Sequence, residues 1–378
     1  MNPVPRDTLY DLPTPSLLLD LDRLEANLAF MRDRAAALGV RLRPHVKTHK
    51  CVEIARMQRS AGATGITVST LEEARVFADE GFPDITWAFP LNLTRVDEAA
   101  ELADVVGVTV DSDEAVDALE SAGRPFSVWL EVDCGYGRTG VDPSSDRGLA
   151  LARRISDSAS LRLAGCLTHS GHAYHAASPQ RIVEIAEQER LVMVELAARL
   201  DREGVDPGIL SVGSTPAMSL ARSLEGVDEA RPGNYALYDY TQTRLGTCGA
   251  ERCALTVLST VVSSTPSAAR SVSDAGALVL SKDLGPDAPP HYGRLFRDVD
   301  DLTLDDAARV TSVSQEHAIL SDCRPVGTRV RILPNHACLT VAQFDHFTVV
   351  RGNQVMDRWK IWRNRGPRFD GAMRLDGA

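Results

Sequence analysis

Four short stretches carry side chains whose types and spacing could do chemistry. The first is His45-Val46-Lys47-Thr48-His49-Lys50. A lysine among other cations has its charging opposed by like charge, and burial at a strand end would oppose it further. The neutral amine that results is what imine chemistry with an aldehyde requires. The same stretch also has the make-up of a basic surface loop that binds an anion, and taken alone it leaves both readings open. The second and third are Gly213-Ser214-Thr215 and Arg231-Pro232-Gly233-Asn234-Tyr235. At βα turns, such residues present N–H and O–H donors to a phosphate. The fourth is Pro334-Asn335-His336-Ala337-Cys338-Leu339-Thr340. Positions two apart in a strand share a face, so His336 and Cys338 could grip one ion. Imidazole with thiolate favours zinc over magnesium or calcium, and two protein ligands leave positions open, as a catalytic metal requires. A lone His-x-Cys is equally an incidental pair on a strand. His169, His172 and His175 form a rival metal group, spaced for one helical face. Gly171 and the preceding strand favour a loop instead, with His169 and Tyr174 at its mouth and His172 and His175 as polar rim groups.

Those stretches need elements to position them. The apolar run at 14–20 predicts a buried strand, and Asp22 opens a helix that Gly39 ends. From there strand and helix alternate, about 20–30 residues per unit, to about residue 245, with a long helix near 180–203. Roughly eight such units predict a closed parallel (β/α) barrel, whose working residues sit on loops after the strand C-termini. The stretches around Lys47, His169 and Gly213 all follow predicted strands. After Cys248 the texture becomes short alternating strands, including 254–264, 277–281, 328–334, 338–342, 347–350 and 354–362, which reads as an antiparallel β domain. The Pro- and Asp-rich segment 285–307 reads as an exposed loop. The expected division is a barrel over 21–245 and a β domain made of 1–20 and 246–378, the first strand pairing with the second half. Trp129, Trp359 and Trp362 are expected in the core, with Cys51, Cys134 and Cys166 as buried thiols.

Composition bounds the answer further. The 378 residues (40.9 kDa) are 44% hydrophobic and 25% charged, ordinary for a chain that buries a large core. Acidic residues exceed basic ones by 52 to 41, giving a net charge of -11, which argues against a nucleic-acid binder. No eighteen-residue apolar run predicts a membrane span, and the opening residues have no signal-peptide pattern. Seven scattered cysteines fit reduced thiols, so a cytoplasmic location is expected.

The motifs PHVKTHK (44–50), EVDCGYGRTG (131–140), LTHSGHAY (167–174), VGSTPAM (212–218), RPGNYALYD (231–239) and PNHACLTVAQFDH (334–346) appear together and in order. With them the chain resembles the D-serine dehydratase and D-threonine aldolase family, pyridoxal-phosphate enzymes related to alanine racemase. The resemblance extends from Thr14 to about Trp359. It implies an alanine-racemase-type barrel followed by a β domain. It implies Lys47 as the Schiff-base lysine, with Gly213, Ser214, Thr215, Gly233 and Asn234 holding the cofactor phosphate. Arg138 and His169 would flank the pyridine ring and Tyr174 would reach its nitrogen. His336 and Cys338 match the family's metal pair, for zinc first and manganese as the alternative.

What the resemblance implies for activity is a lyase acting on D-3-hydroxy amino acids. In the dehydratase outcome, D-serine or a D-threonine-like substrate loses water and yields a keto acid and ammonia. In the aldolase outcome the Cα–Cβ bond breaks, giving glycine and an aldehyde. The aldolase branch commonly has aspartate as second metal ligand, so Cys338 tilts the expectation to the dehydratase. A racemase of the same architecture and a cofactor-carrier protein are the remaining alternatives. The first would make a metal pair superfluous, and the second is usually a barrel alone. A homodimer is expected by analogy, with no nucleic-acid or membrane partner.

Overall fold

The computed structural model describes residues 7–363 and contains two sheets. Eight parallel strands form the first: β2 (Arg41–Leu42), β3 (Ile66–Val68), β4 (Ile85–Pro90), β5 (Val106–Val110), β6 (Phe126–Val132), β7 (Leu161–Thr168), β8 (Ile209–Val212) and β9 (Glu229–Ala230). They follow β1 (Ser16–Asp20), which belongs to the other sheet. Their order is β2-β9-β8-β7-β6-β5-β4-β3. A parallel bridge between His45 and Thr67 joins the two ends, with the Thr67 N–H donating to the Pro44 carbonyl at 2.9 Å. The sheet is therefore closed, as the expected (β/α) barrel requires. Strands β5 and β6 are buried almost throughout, as continuous apolar runs in a helix-covered parallel sheet should be.

The second sheet has nine strands in the order β11-β14-β13-β12-β15-β10-β1-β16-β17. The new members are β10 (Leu255–Thr265), β11 (Arg270–Ser273), β12 (Arg294–Phe296), β13 (Leu304–Val313), β14 (Ala318–Leu320), β15 (Arg329–Leu333), β16 (His346–Arg351) and β17 (Gln354–Lys360). Every pairing is antiparallel except β1 with β16. Strand β1 lies between β10 and β16, its Leu18 opposite Thr256 on one side and Thr348 on the other.

Three expectations are corrected. Residues 338–342 are not a strand: Ala337–Val341 is a short helix burying Ala337, Thr340 and Val341. Its first turn is capped from outside, because the Ala337 N–H donates to the Asp239 carboxylate at 2.9 Å. That contact, with burial, overrides the β preference of Thr and Val. Residues 277–280 form a helical turn in place of the expected strand, and an unbroken apolar run of that length fits either state. The segment 285–307 is not one exposed loop. Leu295 and Phe296 are fully buried in β12, and β13 begins at Leu304. The expected core tryptophans also divide: Trp129 is buried, while Trp359 and Trp362 are half-buried against the core. All seven cysteines are free, with Cys51, Cys134 and Cys166 buried. Among the described residues, no helix is long and apolar enough to cross a membrane.

Candidate active site

At the C-terminal mouth of the barrel lies a cavity of 620 Å³, walled on its far side by the nine-stranded sheet's connections. Every residue given a role by the family resemblance lines it, whereas His172, one of the expected rim groups, does not. Lys47, Arg138, His169 and Tyr174 contribute from the barrel, as do Gly213, Ser214, Thr215, Gly233 and Asn234. His336 and Cys338 contribute from the sheet side.

The basic stretch that opened the analysis is not a surface loop. His45, His49 and Lys50 are buried around a single 3₁₀ turn, Val46–Thr48, and nearby Arg43 is buried too. Their charges are answered from within: Arg43 donates to both oxygens of Glu229 at 2.9 and 3.0 Å, and Lys50 pairs with Glu73. Among the described residues, Lys47 has no such carboxylate partner within hydrogen-bond reach. Burial is the main influence holding its ammonium below the usual lysine value; the Cys338 sulfur opposes that, and Arg138 and Lys50 add repulsion. A lysine so placed has a larger neutral fraction than a surface one.

The two glycine turns are shaped by close approach. A Cβ on Gly213 would lie 2.7 Å from the Arg231 backbone nitrogen, and its φ of +147° disfavours any side chain. A Cβ on Gly233 would lie 2.8 Å from the His45 carbonyl oxygen. Under the first turn, buried Glu189 accepts from the N–H groups of Gly213 and Ser170, each at 3.1 Å. Ser214 caps the following helix by accepting from Ala217 N–H, and the Thr215 hydroxyl accepts from Tyr235 N–H at 3.2 Å. Tyr174 lines the same wall, and burial pushes its phenol up. The Asn234 amide donates to Asp239 at 2.6 Å and leaves its own carbonyl oxygen buried without a partner.

His169 Nδ1 sits 2.7 Å from the Gly213 carbonyl, which can only accept, so Nδ1 carries the proton. Burial, then the charge of Lys47, pushes His169 down to about 3, leaving a neutral ring with Nε2 unprotonated. Tyr136 packs edge-on to it at 6.1 Å and stacks on His172 at 6.0 Å, while the Arg138 guanidinium lies 5.4 Å over the Tyr136 ring.

His336 and Cys338 converge without a strand to align them, since His336 is the residue just before the short helix that carries Cys338. The Cys338 sulfur is 3.3 Å from the Thr48 hydroxyl, one residue beyond Lys47. His336 Nδ1 donates to Asp283 at 2.7 Å, so Nε2 is the nitrogen left for a metal. Although burial opposes both charged forms, the pair favours imidazolium and thiolate: His336 is raised by Cys338 and Asp283, and Cys338 is lowered by His336. Among the described residues, no group of three or more His, Cys, Asp or Glu is arranged to hold a metal. The histidines at 169, 172 and 175 accordingly make no metal cluster.

Four charged cavity residues, Glu131, Arg231, Asp239 and Asp283, were given no individual role from the sequence. Arg231 is buried, bonded to the Ser211 hydroxyl and the Thr168 carbonyl. Glu131 is buried with one oxygen unpartnered, and burial pushes its carboxyl up. Asp239 accepts from Asn234, from Gln242 N–H and from Ala337 N–H, tying barrel to sheet. Asp283 orients His336. Glu131, Arg231 and Asp239 stand inside motifs already recognised, whereas Asp283 stands in none.

A barrel mouth that exposes a desolvated lysine beside two glycine turns, roofed by a β sheet, defines an enzyme of the alanine-racemase type. Profiles of two families agree: that of the alanine racemase N-terminal domain matches residues 19–241, and that of a serine dehydratase domain matches 254–350. The chain belongs to the D-serine dehydratase and D-threonine aldolase family, whose barrel implies pyridoxal phosphate, and it is a lyase. It is similar to the D-threo-3-hydroxyaspartate dehydratase of Delftia sp. (strain HT23), 38% identical over 94% of this chain and 98% of that one. The D-serine dehydratase of Dictyostelium discoideum is 33% identical over 94% and 98%, and the D-threonine aldolase of Arthrobacter sp 30% over 94% of each. The solved Delftia structure superposes with a TM-score of 0.90, covering 96% of this chain and all of that one. A histidine-to-alanine variant of that enzyme has been solved, and so has a cysteine-to-alanine variant two positions further on, the latter in a metal-free form.

Proposed function

We propose that the chain is a metal-assisted, pyridoxal-phosphate-dependent lyase that eliminates water from D-serine or a D-threonine-like amino acid, giving a keto acid and ammonia. The observation that carries this reading is the 3.3 Å contact between Cys338 and Thr48. It brings the candidate metal pair to the residue next to the candidate cofactor lysine, within one cavity.

The residues present fit both groups. A cradle of βα-turn backbone from which Cβ atoms are excluded at Gly213 and Gly233 suits the phosphate end of the cofactor. The imidazole and thiolate of His336 and Cys338 suit zinc, with manganese the alternative, and leave room for substrate oxygen. When bound, the cofactor supplies an electron sink for charge at the substrate α-carbon, and the metal supplies Lewis acidity at its hydroxyl.

The chain's own residues would then act as follows. Lys47 would hold the cofactor through its amine and would be the base that takes the proton from the substrate Cα. Its lowered pKa leaves more of its amine neutral than in a surface lysine. His169, held neutral, offers a fixed ring to one face of the site, and Arg138 offers the cation at its rim. Asp283 keeps His336 Nε2 aimed at the metal position. The Delftia and Dictyostelium relatives support elimination, and the Arthrobacter aldolase marks the competing outcome.

Incubation with D-serine and D-threonine, followed by identification of the products, tests the reading. Keto acid and ammonia are expected. Glycine with acetaldehyde would replace it by the aldolase outcome, and racemisation of alanine in a parallel incubation would replace it by the racemase. In the same preparation, Lys47→Ala is expected to lose the absorbance of covalently held cofactor. Retention of that band would show that another lysine holds it.

A further inference from the structure

We propose that a second cleft, on the other side of the segment that walls the reaction cavity, is a binding site for a small dianion, a dicarboxylate or inorganic phosphate. The cleft has a volume of 390 Å³ and shares only Pro286 with the reaction cavity. Arg244, Arg294 and Arg309 reach it from three separate parts of the chain.

The case rests on a surplus of hydrogen-bond donors. Asp287 is the carboxylate inside the cleft, and it is heavily used. It accepts from the Tyr240 hydroxyl, from Arg244 at 2.9 Å and from His291 Nε2 at 3.2 Å, with Arg294 at 3.7 Å. His291 must donate through Nε2, because its Nδ1 accepts from the Gly293 N–H at 3.2 Å. Arg294 spends its terminal nitrogens on the carbonyls of Asp305 and Asp306 and on Tyr240, so it brings charge to the cleft and not free donors. The Arg309 guanidinium has neither a hydrogen bond nor an ion pair to any described residue. The other carboxylate, Asp306, stands exposed on the rim. Planar guanidinium groups arranged around a small polar hollow recognise paired oxygens, and one carboxylate cannot serve three of them. A ligand with two negative oxygens would complete the set. The inference does not depend on the reaction assigned above.

The test is calorimetric titration of the cofactor- and metal-loaded enzyme with malonate and, separately, with inorganic phosphate. Saturable binding of at least one probe is expected, and whichever binds more tightly identifies the class. Arg309→Ala and Arg244→Ala should each weaken it by about tenfold or more, the worth of a charge-assisted contact. Neither side chain is part of a core, so both variants should keep the parent melting temperature. Absence of saturable binding with both probes would overturn the proposal. So would binding unchanged in both variants, since the anion would then be held elsewhere.

Discussion

Single side chains decide what this cavity can do, and several act by constraining a neighbour. Asp283 accepts from Nδ1 of His336, which leaves Nε2 as the nitrogen for a metal. Asp283→Ala should therefore weaken metal binding by about 10–100-fold while the cofactor band is kept, the usual cost of losing an outer partner of a ligating histidine. Competition against a chromophoric chelator would measure it, and an unchanged affinity would remove Asp283 from the site. This residue also shows where sequence reasoning stops. Lys47, His336 and Cys338 stood out as reactive types in short stretches, and the order of the motifs, through the family resemblance, gave them their proposed roles. Asp283 is one aspartate among many, between a segment read as a strand and one read as a loop, and only folding brings it 2.7 Å from His336, 53 residues away in the chain.

Elements set the burial that those side chains require. The helix Leu71–Asp79 begins with Thr70 accepting from the Glu73 N–H, and Glu73 returns one oxygen to the Ser69 N–H at 2.8 Å. Its other oxygen pairs with Lys50, three residues from Lys47, so the cap of one helix neutralises a lysine close to the candidate cofactor lysine. Both partners are buried, and breaking such a pair from one side leaves an uncompensated charge. Glu73→Gln should cost about 3–5 kcal/mol in chemical denaturation. Removing both charges with Lys50→Met and Glu73→Leu should cost much less; equal losses would mean that the pair is not the cause. The barrel strands and their alternation were readable because continuous apolar runs punctuated by glycine are strong local signals. The short helices at 277–280 and 337–341 were not, because four or five residues give no period to read and the cap of the second comes from Asp239, about a hundred positions earlier.

At the scale of the whole molecule, the two sheets meet at Asp239 and around Thr48, and the nine-stranded sheet is completed by a strand from the other end of the chain. Strand β1 sits between β10 and β16, with Leu17, Leu18 and Leu19 essentially inaccessible. Removing residues 1–20 would strip the middle of that sheet and open two strand edges at once. Such a truncation is expected to be recovered as aggregate, and adding a peptide of residues 14–20 during refolding should restore some monodisperse protein. A truncated chain that stays monodisperse unaided would contradict this. The placement also has a temporal side. A ribosome releases the first strand long before its two flanking partners exist, so the segment must wait, unpaired, while more than two hundred residues of barrel are synthesised. The nine-stranded sheet can therefore close only after the barrel's residues have been made.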